Sequence, residues 1–367
     1  MDIQGGIQLL QDLSLVNTYG KVSKVVGLIV EAKGIQAPLG AVCNLVVDEQ
    51  SGDYIPAEVV GFRDDVVLFM PYGELRGIKP GSLIMNSGMP PLFPVGKRFL
   101  GRTLDTFGRP LDEKGELSPQ RYYPLYGKPL NPLQRPRVSE PIDVGVKAIN
   151  GLLTLGKGQR VGIMAGSGVG KSTLMGMIAR YTSADVNVIA LVGERGREVL
   201  EFIENALGPE GLAKSVLVVA TSDESPLVRM RAAYAATAVA EFFRDQGNDV
   251  ILMMDSVTRF ATASREVGLT VGEPPTTRGY TPSVFSQLPK LLERAGKSRH
   301  GSITGIYTVL VEGDDFNEPV ADAVRSILDG HIVLTRELAD QGHYPSIDVL
   351  QSISRLRTDL VPGEVVE

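Results

Sequence analysis

The sequence predicts an α/β protein, a mostly parallel sheet with helices on both faces, preceded by a small antiparallel β-barrel. Three observations carry that prediction. From Gly158 onward the apolar runs RVGIMAG, VNVIALVGE, SVLVVAT, DVILMMDS, SITGIYTVLV and HIVLT alternate with helical stretches, and continuous apolar strands of this kind belong to a parallel sheet covered by helices. Between Gly20 and Met89 the texture is different: the runs KVVGLIVEA, AVCNLVVDE, AEVVGF and DVVLFMPY are valine-rich and alternate apolar with polar positions. Short strands at that spacing, broken by APLG, SGDY, RDD and GIKPGS, suggest a barrel. Finally, a glycine-rich loop stands between the first apolar run of the second region and a helix.

Taken in order, residues 1–19 place Ile7, Leu10, Leu13 and Leu15 near helical spacing, which suits a short partner-binding segment or a frayed end. The barrel is expected over 20–90. A proline-rich connection follows over 91–142 and contains one ordered-looking island, VGKRFLGRTLDTFGRPLD; proline cannot donate to a ladder, so the rest reads as extended. The α/β core is expected over 143–367, with SPLVRMRAAYAATAVAEFFRDQ as its longest helix.

Composition narrows the function. A length of 367 residues allows two or three domains. The net charge of −6 argues against extensive nucleic-acid or anionic-membrane surfaces. A single cysteine, Cys43, excludes an internal disulfide and a cysteine metal cluster, and the three histidines lack metal-ligand spacing. No window approaches the roughly 20 apolar residues of a membrane span, and no secretion signal opens the chain. A cytoplasmic protein is expected.

The segment RVGIMAGSGVGKST carries the strongest chemistry. A strand ends at Ala165; Gly166, Ser167, Gly168, Val169 and Gly170 form a loop, and Lys171, Ser172 and Thr173 open a helix. Glycines let backbone N–H groups turn inward and cradle phosphate oxygens at a helix N-terminus. Lys171 would reach the β- and γ-phosphates of ATP and Ser172 would ligate Mg²⁺. Ala165 replaces the usual first glycine. DVILMMDS places Asp255 at a strand end, where an acid orients water on the metal or caps the next helix. VGERGREV places Glu194 at another strand end, suited to activating the attacking water or to favouring a helix N-terminus. Arg355, in QSISRLR, is a candidate for stabilising transition-state charge, although an isolated arginine more often sits in a surface ion pair.

GERGREV, DSVTRF and above all PSIDVLQSIS resemble the rotary-ATPase superfamily. The last motif runs Pro345, Ser346, Ile347, Asp348, then Ser352 and Ser354. Within the superfamily, GEPPTTRGYTPSVFSQLPKLLERAG at 272–296 and the island at 95–112 are similar to the flagellar and type III secretion export ATPases. The resemblance covers the chain from Gly20 to its end. It implies a RecA-like core, a homo-hexameric ring and nucleotide between subunits. Glu194 then matches the catalytic carboxylate, Arg195 and Arg259 match arginines at the nucleotide, Tyr344 matches an aromatic stacked on adenine, and Arg355 matches an arginine finger acting in trans. It further implies stator and stalk partners, export substrates and chaperones, no nucleic acid, and a place at the inner face of the cytoplasmic membrane, touched only through the export gate. Relatives continue into a C-terminal helical domain, so the chain is expected to be truncated before it. A virulence-type secretion ATPase is nearly the same molecule. A Rho-like RNA translocase would need a basic, aromatic barrel, and 20–90 holds few aromatics and no basic cluster. A non-catalytic nucleotide-binding ring subunit is the third alternative.

Overall fold

A computed structural model describes residues 18–48, 51–86, 88, 90–311 and 318–366. Residues 1–17, which make up most of the expected partner-binding segment, lie outside the described residues. The chain divides into two compact units, one of residues up to Leu92 with Glu266–Pro274, the other of Phe93–Arg265 with Pro275 onward.

The first unit contains the barrel: β1 (Thr18–Val26), β2 (Ile29–Lys33), β3 (Val42–Asp48), β4 (Asp53–Arg63), β5 (Val66–Pro71) and β6 (Leu83–Asn86). They close in the order β1-β2-β5-β4-β3-β6, every pair antiparallel. Alternation decides which side chains fill it: along β3, Cys43 and Leu45 are buried while their neighbours are less so. Val30, Leu45, Val59, Phe69 and Ile84 form the interior. The β1–β2 hairpin turns through Gly27 at φ 57, a conformation glycine adopts without a Cβ penalty. Closure leaves no free edge.

The second unit is built on a nine-stranded sheet. Its opening strands come from the proline-rich stretch: β7 (Leu92–Val95) pairs with β9 (Arg121–Pro124) as a separate ribbon, and β8 (Arg102–Leu104) joins the main sheet. β10 (Pro141–Ile142) pairs with β11 (Leu155–Gly156). The remaining strands are β12 (Arg160–Ala165), β13 (Val186–Glu194), β14 (Ser215–Thr221), β15 (Asp249–Asp255), β16 (Gly296–Lys297), β17 (Ser302–Leu310), β18 (Gly330–Leu334) and β19 (Ile347–Ser354). The order is β19-β18-β12-β17-β15-β13-β14-β8, with β16 beside β17. Pairs from β18 to β8 are parallel, and β19 runs antiparallel to β18.

The stretch 91–142 is therefore more than an extended connection. β8 uses three proline-free residues of the island to extend the sheet beside β14. Arg102 grips Asp112 through two bonds of 2.8 Å, and Thr103 N–H adds a third at 3.1 Å. Burial opposes ionisation of Asp112, but these donors win and pull its carboxyl down to about 2. Further along, Leu125 is fully buried and its carbonyl accepts from Arg294 at 2.7 Å.

β13 is buried along its whole length, as continuous apolar runs require. The helix Pro226–Asp245, started by a Ser225 cap and Pro226, packs on β13, β14 and β15 and buries almost every residue. The helix Lys171–Tyr181 sends Leu174, Met175 and Ile178 into the core that contains Ile163, Ile189 and Ile251. Parallel strands bring their carboxyl ends to one edge, where open α/β sheets bind ligands.

Candidate nucleotide site

The loop after β12 is shaped by two glycines in left-handed conformation, Gly168 at φ 78 and Gly170 at φ 93. Gly170 precedes the helix, whose first bond runs from Leu174 N–H to the Gly170 carbonyl at 3.0 Å. The N–H groups of Lys171, Ser172 and Thr173 therefore have no intrahelical acceptor and point, with the helix dipole, at the loop. A cavity of about 740 Å³ opens there, walled by Gly166, Ser167, Gly168, Gly170, Lys171 and Ser172 on one side and by Glu194 and Arg259 on another.

Strand order supplies the acids. β15 lies next to β13, so Asp255 and Glu194 end at neighbouring positions, with Leu191 paired to Asp255. The Lys171 ammonium bonds the Asp255 carboxylate and lies 3.8 Å from Glu194 Oε1. Asp255 is nearly fully buried behind Lys171, off the cavity wall, and its Oδ1 also accepts from Thr308 Oγ1 of β17 at 2.7 Å. Arg259 Nε stands 3.5 Å from Glu194 Oε1. Gly193, at φ 70, makes room for that arginine: a Cβ there would come within 3.0 Å of Arg259 Cδ.

Burial and then the negative charge of Asp255 push the Glu194 carboxyl up to about 7, with Lys171 acting in the opposite sense. A hydrogen bond with Glu194 holds neighbouring Glu198 below the usual carboxylate range. Glu198 also accepts from Arg195 N–H at 3.3 Å and pairs with the exposed Arg195 side chain at 3.5 Å. Arg195 thus lines the cavity with its guanidinium facing solvent.

Other expected residues fall into place differently. Val169 faces the core, and its carbonyl accepts from Ser346 Oγ at 2.6 Å. That bond brings the 344–347 segment against the loop: a Cβ on Gly170 would stand 3.5 Å from the Tyr344 ring. Tyr344 is 58% exposed, leaving a ring face free to stack. Thr173 is exposed on the cavity wall. Arg355 lies outside the cavity. It follows Ser354, which pairs with Gly330, whereas Leu334 at the other end of β18 pairs with Ala165 beside the loop. Four residues of strand put it about 13 Å away along the sheet.

Sequence reading missed Thr308, Ser346 as a loop tether, and Arg336. The Arg336 guanidinium lines the cavity and donates to the Ser167 carbonyl at 2.9 Å. A basic residue directly after the apolar run HIVLT was the signal available for it.

Mg²⁺ suits the donors present. Ser172 and Asp255 offer hard oxygens, and Glu194 Oε1 is buried without a hydrogen-bond partner. Among the described residues no group of three His, Cys, Asp or Glu side chains is arranged to hold a metal alone.

A parallel sheet, a glycine loop entering a helix, a lysine held by two strand-end acids and a separate barrel define a P-loop nucleotide-binding protein. Residues 145–354 match the nucleotide-binding domain of the ATP synthase alpha/beta family and residues 22–88 match its beta-barrel domain. The chain belongs to the ATP synthase alpha/beta family. It is 56% identical to the flagellum-specific ATP synthase of Bacillus subtilis over 98% of this chain and 82% of the relative. It is 52% identical to a type 3 secretion system ATPase of Xanthomonas euvesicatoria over 96% of this chain and 80% of that one. Among solved structures, the assembled ATPase EscN of the enteropathogenic E. coli type III secretion system superposes with a TM-score of 0.88 at 50% identity, covering 95% of this chain and 83% of EscN.

Proposed function

We propose that this chain is the ATP hydrolase of a flagellar protein export apparatus, working as a hexameric ring. The observation that carries the reading is Glu194: a buried carboxyl near neutral pKa, 3.8 Å from the phosphate-loop lysine, in a chain half identical to flagellum-specific ATP synthases. The loop N–H groups and Lys171 bind the triphosphate, and Tyr344 stacks on the base. Glu194 orients water and takes its proton as oxygen attacks the γ-phosphorus and the bond to the bridging β–γ oxygen breaks. Ser172 and Asp255 would hold Mg²⁺, which would supply positive charge to the phosphate oxygens. Arg195 and Arg259 add positive charge at the cavity wall.

Arg355 lies about 13 Å along the sheet from the phosphate loop, which supports the reading that it acts on the nucleotide of a neighbouring copy. EscN has been described as an assembled ATPase and in complex with its central stalk EscO, which supports a ring with a stalk partner here. No helix among the described residues is long and apolar enough to cross a membrane; the likeness to flagellum-specific ATP synthases supports a place at the cytoplasmic side of the export gate. The 52% identity to the Xanthomonas protein supports a virulence-type apparatus as the second reading.

ATP turnover per subunit is expected to curve upward with protein concentration, because each site is completed by a neighbour. Arg355→Ala should flatten that curve while leaving nucleotide affinity intact. A wild-type rate per subunit independent of concentration, in protein shown to be monomeric, would count against the shared site.

A further inference from the structure

The end of the sheet remote from the phosphate loop carries a set of half-buried bonds centred on Asp329, the residue before β18. Its carbonyl accepts from Arg355 N–H at 3.0 Å and from Gln159 Nε2 at 3.3 Å. Its carboxylate accepts from Arg160 three times, from the backbone N–H at 3.0 Å and from Nε and Nη2 at 3.2 Å each. Its own N–H donates to the Arg160 carbonyl at 2.8 Å. Gln159 is fully buried and also donates to Ser354 Oγ at 3.0 Å, which in turn donates to the Thr154 carbonyl at 2.8 Å. The remaining nitrogen of the Arg160 fork pairs with Glu293, itself held by Arg135 at 3.0 Å.

The backbone leading into Arg355 is therefore fixed by bonds from Gln159, Asp329 and Thr154, which precede β12, β18 and β11. The guanidinium is treated the opposite way. It is exposed, and its bond to the Arg325 carbonyl is long, at 3.4 Å. A surface arginine without a task needs no such seat, because solvent alone satisfies its head and stem. Here the root is held and the tip is exposed. Arg160 is well suited to the central role, since a planar fork can meet two carboxylates at once while an ammonium cannot.

We propose that Gln159, Arg160 and Asp329 form a mount that sets the direction in which Arg355 leaves the chain. They are positioning residues for a group that reaches the nucleotide of a neighbouring copy, and the proposal rests on the in-trans reading of Arg355 given above. A guanidinium stabilises a phosphoryl transition state only within hydrogen-bond reach, and a misplacement of about 1 Å costs on the order of a hundredfold in rate. The mount keeps a long side chain from spending its time elsewhere.

The test uses the chain purified as it stands. Asp329→Asn keeps the side-chain shape, removes the charge and gives up one acceptor. The expected result is a fall of about 10- to 100-fold in kcat, with unchanged KM for ATP, unchanged binding of a fluorescent ATP analogue and a cooperative thermal transition. Mixing with Lys171→Ala subunits, whose own loop is dead but whose Arg355 is correctly mounted, should restore turnover at Asp329→Asn sites. Failure of that rescue, or a wild-type kcat in Asp329→Asn where Arg355→Ala is inactive, overturns the proposal. If Lys171→Ala subunits fail to rescue Arg355→Ala itself, the in-trans reading fails instead. Arg160→Lys keeps the cation and loses the fork, so it should give a smaller drop with the same split between kcat and KM. It carries the same test if Asp329→Asn does not fold.

Discussion

Glu194→Gln separates two consequences of one buried carboxyl. Burial and the neighbouring Asp255 charge raise it from an ordinary 4.5 to about 7. The folded chain thus holds this proton more tightly than the unfolded chain does. Between those two values the folded state carries more protons, so stability falls as pH rises through the window and the full cost remains above it. A rise from 4.5 to about 7 is worth roughly 3 kcal/mol at about 1.4 kcal/mol per pH unit. Glutamine has the same shape and no charge. The stability gain of the variant should be small at about pH 5 and approach about 3 kcal/mol at about pH 8, read by urea unfolding across that range. In the same protein ATP turnover should fall by about 10²- to 10⁴-fold. In the unsubstituted chain kcat/KM should rise with pH up to about 7, because the ionised form is the base. A stability difference that ignores pH refutes the perturbed carboxyl, and retained turnover refutes its role as base.

Tyr344→Ala should weaken nucleotide binding by about 3- to 10-fold through lost stacking, with a smaller effect on kcat, as titration of a fluorescent ATP analogue would reveal. Ser346→Ala should do the same to a lesser degree, since it frees the Val169 carbonyl that ties the 344–347 segment to the loop; wild-type affinity in both variants would remove Tyr344 from the site. Arg294→Ala should lower unfolding stability by about 3–5 kcal/mol, because it strands the buried Glu241 carboxylate and the Leu125 carbonyl; a melting temperature equal to that of the unsubstituted protein would refute the weight given to this pair.

How much could be read in advance depended on how local each interaction is. The phosphate loop is nine consecutive residues whose glycines and helix start lie side by side, so its geometry follows from its spelling. The parallel sheet was legible from continuous apolar runs, and a parallel sheet brings all strand ends to one edge, which made Asp255 and Glu194 reasonable candidates. Their meeting was not legible. It depends on β15 lying between β13 and β17, and nothing in either strand encodes its neighbours. The Thr308 bond to Asp255 spans 53 residues for the same reason. Proline content marked 91–142 as an extended connection with one ordered-looking island, but not that three proline-free residues of that island form the edge strand β8. Arg336 offered only its place after an apolar run and the mount of Arg355 offered nothing, because a charged residue at the end of a strand looks the same whether it faces water or a carbonyl.

The surroundings of the two acids also separate their tasks. Lys171 serves both in the geometry described, bonding Asp255 and standing near Glu194. A triphosphate entering the loop competes for that ammonium, and the two carboxylates respond unequally when it turns away. Asp255 keeps the Thr308 hydroxyl on the same oxygen, is buried, and remains fixed. Glu194 Oε1 has no hydrogen bond to fall back on and retains only the charge of Arg259 at 3.5 Å. Loss of a nearby cation raises the affinity of a carboxylate for a proton. On the proposed reading of Glu194 as the base, loss of the Lys171 charge would strengthen it at an oxygen without a hydrogen-bond partner, while Asp255 would keep its Thr308 bond. Exchanging the two roles would put the proton acceptor at Asp255 Oδ1, an oxygen already bonded by Lys171 and Thr308.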